Sequence, residues 1–314
     1  MRRRLRAFIP EVVAIGLLIL AFVISALREP KFLDVAYLFD RSTLYTETAL
    51  LAIALTLVIV AGHIDLSCTA ILALVGAIIT TLNSKGLPFG ACMVLAPLLG
   101  GLLGAVNGYL IGKRRLPSLV VTLATMALFR GGAQILLGDH SLPVPEAFQH
   151  FEKLALPRTY FHAPLFLALA FAGAAGLLLH KTVFGRSAYA IGINAEAARY
   201  SGIAVPSVLM RLFVLSGAVA GIASLTLLSR LGVARFDHAQ GLELDAITAV
   251  VLGGTSIFGG RGTIMGSLAA ILLIGVVQTG MGVAGVKSEN QVTVIGILLL
   301  VAVLLANLTS RKRR

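Results

Sequence analysis

Three acidic residues, Asp65, Glu243 and Asp245, stand against an apolar background. Ionisable side chains at membrane depth are costly and by default mark function. Each also lies near the end of an apolar run, so a structural role competes. Asp65 would cap the helix that follows it, and Asp245 the helix that it opens, by accepting backbone N–H bonds. Asn107, Thr122, Thr125 and Gln278 are polar side chains on otherwise apolar runs. They would hydrogen-bond either a ligand hydroxyl or a neighbouring helix. Gly253-Gly254, beside Thr255 and Ser256, reads either as close packing or as unwound backbone along a path. The cluster Gly100-Gly-Leu-Leu-Gly104 reads as helix packing.

The chemistry these residues leave out is as informative. No Gly-x-x-x-x-Gly-Lys-Ser/Thr occurs, and Gly260-Arg-Gly-Thr-Ile-Met-Gly266 has neither the spacing nor the lysine of a phosphate cradle. Gly-x-Ser-x-Gly and His-Glu-x-x-His are also missing. Cys68 and Cys92 both sit in apolar stretches and read as small buried hydrophobes; the six histidines are scattered without ligand spacing. The sequence therefore predicts no enzyme, no ATP hydrolysis by this chain, no metal and no cofactor.

Stepping along the chain, 58% of the 314 residues are hydrophobic, 13% are charged and the mean hydropathy is +0.95. Soluble domains carry about 25% charge. Apolar runs near 8–27, 43–61, 66–82, 89–111, 118–137, 163–180, 207–228, 244–258, 264–282 and 290–308 predict an all-α, polytopic transmembrane bundle of about ten spans. The first run is long enough to span and no small-residue cleavage site follows, so it reads as a retained helix. The run at 244–258 is short and suits a helix that does not cross fully. With no linker or separate soluble segment, residues 1–314 read as one membrane domain.

A net charge of +12 would point to nucleic acid in a soluble protein; here the placement of the charge matters more. With the N-terminus in the cytoplasm, the inner side receives 16 of the 26 basic residues. They comprise the arginines at 2–6, Lys113-Arg-Arg115, Lys181, Arg186, Arg199, Arg211, Arg261 and the four residues 311–314. Only Glu11, Asp65 and Glu196 of the 14 acidic residues join them, so the inner side carries +13 and the outer side −1. Both termini are thus predicted to be cytoplasmic, with 43–82 crossing twice around Gly62-His63-Ile64-Asp65. The outer connection 138–162, holding Pro143, Pro145 and Pro157, is expected to be exposed. Ile64-Asp65 after the second span and Leu244-Asp245 after the seventh are five spans apart, the spacing of an inverted repeat.

The inner connection, 181–207, includes Gly185-Arg-Ser-Ala-Tyr-Ala-Ile-Gly-Ile-Asn-Ala-Glu-Ala-Ala-Arg-Tyr-Ser-Gly-Ile203. Asn194 would cap a short helix over Ala195 to Tyr200, and Gly202 would end it. Such a helix either presses into another protein or is a plain surface connector.

This segment resembles the cytoplasmic coupling loop of the ribose-type ABC transporter permeases, a family that includes arabinose, xylose, rhamnose and autoinducer-2 permeases. Gly62-His63-Ile64-Asp65-Leu66-Ser67 is similar to its Gly-Gly-Ile-Asp-Leu-Ser. Pro117-Ser-Leu-Val-Val-Thr-Leu-Ala-Thr-Met126 with Arg130-Gly131 resembles its fifth-helix signature. Glu243-Leu-Asp-Ala-Ile247 through Val251 to Gly262 resembles its eighth. Together these motifs cover about residues 30–305 in family order. Two departures stand out: His63 replaces the second glycine, and Cys68-Thr69-Ala70 replaces Val-Gly-Ser.

The resemblance implies a permease subunit of a sugar importer in the bacterial inner membrane. Its implied partners are ABC ATPase subunits, a periplasmic sugar-binding protein and a second permease copy or a homologous permease. It carries over Asn194, Glu196, Ala197 and Arg199 as the ATPase contact, and Asp65, Ser67, Thr125, Gly253 and Gly254 as the translocation pathway. The implied substrate is a monosaccharide, a pentose or a deoxyhexose such as rhamnose or ribose, or a sugar-like signal. A self-sufficient secondary carrier or facilitator is the alternative; it would need carboxylates near the bilayer centre.

Overall fold

The computed structural model describes residues 9–148, 162–287, 289–297 and 300. Backbone groups in lipid must find partners within their own segment, which leaves helices as the default. The chain forms α1 (Ile9–Arg28), α2 (Val35–Ser42), α3 (Thr46–Val60), α4 (Cys68–Ser84), α5 (Phe89–Gly108), α6 (Ser118–Leu137), α7 (Ala163–Lys181), α8 (Val183–Ile193), α9 (Ala195–Tyr200), α10 (Val205–Leu231), α11 (Leu242–Leu252) and α12 (Ile264–Val283). Residues 289–297 are also helical. The all-α polytopic expectation holds. Among the described residues six segments are long and apolar enough to cross a membrane: Val35–Val60, Phe89–Lys113, Ser118–Leu137, Ala163–Lys181, Val205–Leu231 and Ile264–Val283. Ile15–Arg28 and Cys68–Ser84 are apolar but shorter. Most of the run at 290–308 and the basic clusters at 2–6 and 311–314 lie outside the described residues.

The centre of the bundle is α3, in which every residue from Thr46 to Val60 is buried. A helix that is apolar all round has no face to offer water, and α3 is enclosed by α7, α10, α11 and α12. Its first turn carries Glu47, 2% exposed, which receives both Nε and Nη2 of Arg230 on α10 at 3.3 Å.

The most extensive helix pair is α5 against α10. Gly100, Gly104, Gly108 and Gly112 recur every fourth residue and so share one face of α5 and of the π-helical turn Tyr109–Lys113 that extends it. That face runs antiparallel along α10. A Cβ at Gly100 would land on the Gly217 carbonyl, one at Gly104 on the Phe213 carbonyl, and one at Gly221 of α10 on the Ala96 carbonyl. Further along, a Cβ at Gly112 would come within 2.9 Å of the Pro206 carbonyl oxygen. Close backbone approach is what small residues provide in lipid, where apolar burial drives no association.

Two connections differ from expectation. The one at 138–162 is not wholly exposed: Leu142–Pro143 pairs antiparallel with Val233–Ala234, and Val144 N–H donates to Gly232 O at 2.9 Å. Val144 and Phe148 are buried, Phe148 lying edge-on to Phe89 with centroids 4.6 Å apart. These apolar side chains draw the segment down; residues 149–161 lie outside the described residues. The connection 181–207 holds two helices, α8 and α9, where the sequence predicts one. Gly185 and Gly192 are helical residues, each packed closely on a neighbouring segment: a Cβ at Gly185 would land on the Leu179 carbonyl.

Candidate functional site

Two helices end in matching glycine turns, and most of the sequence-predicted residues gather around them. At the end of α3, Gly62 (φ +80°) donates to Ile59 O at 2.8 Å and His63 N–H to Val58 O at 3.3 Å. At the end of α11, Gly254 (φ +88°) donates to Val251 O at 2.9 Å and Thr255 N–H to Val250 O at 3.1 Å. Both are the left-handed cap in which glycine escapes the Cβ penalty. At the first turn only Gly62 carries the positive φ, which explains why histidine is tolerated at position 63, where the family motif has glycine. Its ring lies edge-on to Phe213, 6.4 Å between centroids.

Beyond His63 the chain runs along α6 without helical structure, Ile64 N–H donating to Ser118 Oγ and Thr122 Oγ1 donating to Ile64 O, both at 3.3 Å. Asp65 is fully buried. Its Oδ1 accepts the Ser67 N–H at 3.0 Å and the Ser67 hydroxyl at 2.6 Å, and its Oδ2 accepts the Ser216 hydroxyl of α10 at 2.8 Å. Ser67 Oγ in turn accepts Asn107 Nδ2 of α5 at 2.7 Å. One carboxylate thus joins the break to α5 and α10. Asp65 accepts a backbone N–H ahead of α4, but that N–H belongs to Ser67 and not to the helix, so the carboxylate serves the break and its network more than a helix cap. Ser216 had no sequence signal beyond being a serine in an apolar run. Thr125 stands apart, its hydroxyl turned to its own helix at Val121 O, 3.0 Å.

The start of α4 meets the start of α11. Thr69 Oγ1 donates to Glu243 Oε2 at 2.7 Å, and Glu243 also accepts the Gly241 N–H at 3.1 Å. The cap expected of Asp245 is therefore made by Glu243, whose side chain reaches back to Gly241 at the helix entrance. Arg130 on α6 donates through Nη1 to Phe236 O at 2.9 Å and to His238 O at 2.6 Å, while its Nη2 approaches Thr69 Oγ1 at 3.4 Å. The Cys68-Thr69-Ala70 departure thus places a hydroxyl between a guanidinium and a carboxylate. Replacing Arg130 with methionine strands two carbonyls and should cost about 2 kcal/mol, read as a lowered melting temperature in detergent. In the connection that Arg130 holds, the Arg235 guanidinium bonds Asp237 at 2.8 Å and keeps that carboxyl below the usual range. Gly253 packs against α12, where a Cβ would sit 2.5 Å from Ser267 N. Cys68 and Cys92 are buried free thiols, as read from the sequence. Among the described residues no group of three or more His, Cys, Asp or Glu could hold a metal ion.

On the other side of the Gly62 turn, α9 has the predicted boundaries. Asn194 Oδ1 accepts the Ala197 N–H at 2.9 Å, and Ile203 N–H closes on Ala198 O at 3.1 Å beside Gly202. Ala198 is buried, whereas Glu196, Ala197 and Arg199 are exposed. Ile193 and Tyr200 are 74% and 90% exposed, and an open groove runs between Ala190, Asn194, Ser201 and Ile203.

The family profile described as the permease component of branched-chain amino acid transport systems matches residues 37–303. The ribose import permease protein RbsC of Bacillus subtilis is 39% identical over 295 residues, covering 93% of this chain and 90% of the relative. The autoinducer 2 import system permease protein LsrD of Photorhabdus laumondii is 36% identical, covering 92% and 88%. The LsrD protein of Salmonella typhimurium is 34% identical over 305 residues, covering 93% and 90%. No solved structure matches the chain.

Proposed function

Since this chain belongs to the permease family of ABC importers, in the ribose-type branch, we propose that it is the membrane-spanning subunit of an importer for a monosaccharide or a sugar-like signal. The substrate class follows from the ribose and autoinducer-2 permeases among its relatives. Within that class a pentose or deoxyhexose is the narrower reading. Residues 1–314 act as one permease domain of about ten crossings in the bacterial inner membrane, both termini cytoplasmic, with an inverted repeat relating the α3–α4 and α11–α12 breaks. ATP is hydrolysed by partner ABC ATPase subunits, substrate arrives on a periplasmic binding protein, and a second permease, identical or homologous, completes the path.

The observation that carries this reading is α9: a capped helix anchored by one buried alanine, presenting Glu196, Ala197, Arg199 and Tyr200, with Ile193 exposed beside it at the end of α8. With Tyr200 and the neighbouring Ile193 both largely exposed, this corner has the composition of a docking element. Nucleotide binding would draw the ATPases together and displace α9, and the permease would alternate between outward and inward openings. Asn194 contributes by fixing the start of that helix. For the pathway, Asp65 and Ser67 would shape one break and Gly253 and Gly254 the other, with Thr125 contributing from α6.

The test is affinity purification of the tagged chain, wild type against Glu196→Arg, with ATPase subunits assayed in the eluate. We expect copurification with the wild type and a loss of about tenfold or more with the reversed charge. If the wild type brings down no ATPase even after crosslinking, yet alone moves sugar into vesicles, the importer reading fails and the secondary carrier replaces it.

A further inference from the structure

Three backbone segments distant in sequence meet below α3 with almost no side chains between them. They are the end of α3 (Val60 to Gly62), the last turn of α8 at Gly192, and the connection from Gly254 to Gly262. Gly260 N–H donates to Val60 O at 2.8 Å, which fastens the connection to the central helix. Gly192 lies on that bond: a Cβ there would land on Val60 O and within 2.5 Å of Gly260 N. At Gly259 a Cβ would come 2.7 Å from Gly62 N and 2.9 Å from the Gly192 Cα. One turn earlier on α8, the Tyr189 hydroxyl donates to Gly262 O at 2.6 Å.

We propose that Gly192 is a positioning residue for transport, the joint through which displacement of α9 reaches α3 and the Asp65 network. The proposal rests on the coupling reading of α9. A single residue, Asn194, separates the two helices, ending α8 and capping α9. Displacing α9 therefore carries the end of α8 with it. At Gly192 the contact is backbone on backbone, so no rotamer can absorb the movement, and close-packed elements pass on such strain. Val60 is five residues before Asp65, whose bonds reach α5 through Asn107 and α10 through Ser216. The route thus runs from α9 to the most extensive helix pair of the bundle.

The experiment uses the complete transporter in proteoliposomes, with the binding protein present. Wild type, Gly192→Ala, Tyr189→Phe and Gly173→Ala are compared; a Cβ at Gly173 meets nothing within 4 Å. Gly192→Ala should retain the ATPase subunits and basal hydrolysis while substrate uptake, and the stimulation of hydrolysis by loaded binding protein, fall about tenfold. Tyr189→Phe adds no bulk and should lower uptake per ATP in the same direction; it decides the matter if Gly192→Ala does not fold. Gly173→Ala should behave as wild type. Uptake and stimulation at wild-type levels in Gly192→Ala overturn the proposal. So does loss of the ATPase from that folded variant, which would place the defect at docking instead of transmission. If Gly192→Ala is unfolded, wild-type coupling in Tyr189→Phe overturns it. A wild-type chain that recruits no ATPase instead overturns the parent reading, before any variant is compared.

Discussion

Leucine at Gly217 is expected to leave almost no folded protein to extract from the membrane. A Cβ at this position would land on the Gly100 carbonyl and come within 2.9 Å of both N and Cα of Gly104. Every one of those obstacles is backbone, so no side chain can swing away. Overpacking usually costs about 1–3 kcal/mol because neighbours relax. Here relief requires α5 and α10 to separate along the longest contact in the bundle, and the cost should exceed that range. Against a folding margin of about 5–15 kcal/mol, such a loss is a large fraction of the whole. The measurement is the yield of monodisperse protein after detergent extraction, with Gly16→Leu as control, since a Cβ at Gly16 meets nothing within 4 Å. Near-normal yield of Gly217→Leu would mean that the α5–α10 contact is not what holds these helices together.

The glycine ladder also shows how far the sequence could be read. Recurrence at 100, 104, 108 and 112 is visible in the residue order and marks a packing face. Nothing in that order says that the partner is the helix containing Gly217 and Gly221, since the two lie more than a hundred residues apart. The same limit holds for polar groups. Asp65 announced itself as a carboxylate at a helix break, but Ser216 and Asn107 became its network only when the fold brought α5 and α10 to it. Local signals fared best: Asn194 and Gly202 bracket α9 as read, because caps act over three or four residues. Glycines fared worst. Gly185 and Gly192 stand in a basic connection where glycine suggests turns, yet both are helical: Gly185 lies against the end of α7, and Gly192 against Val60 and Gly260, far away in sequence.

Asp65 gives the second large effect, and two substitutions at that position separate structure from charge. Alanine removes the acceptor of three buried donors at once: the Ser67 N–H, the Ser67 hydroxyl and the Ser216 hydroxyl. Each stranded donor costs about 1–3 kcal/mol, so Asp65→Ala should lose about 3 kcal/mol or more and with it most of the folded yield. Asparagine keeps one oxygen for Ser67 and turns an amide toward Ser216, whose hydroxyl can rotate to accept instead of donate. Asp65→Asn should therefore fold, with a melting temperature in detergent close to wild type, and should import substrate within about threefold of it. An Asp65→Ala chain as stable as wild type would show that the network does not knit the break to α5 and α10. A folded Asp65→Asn chain that imports nothing would give the carboxylate charge a direct part on the path. The break between α3 and α4 would then act on the solute itself, whereas the expected result makes it the wall that α3 and α10 move together.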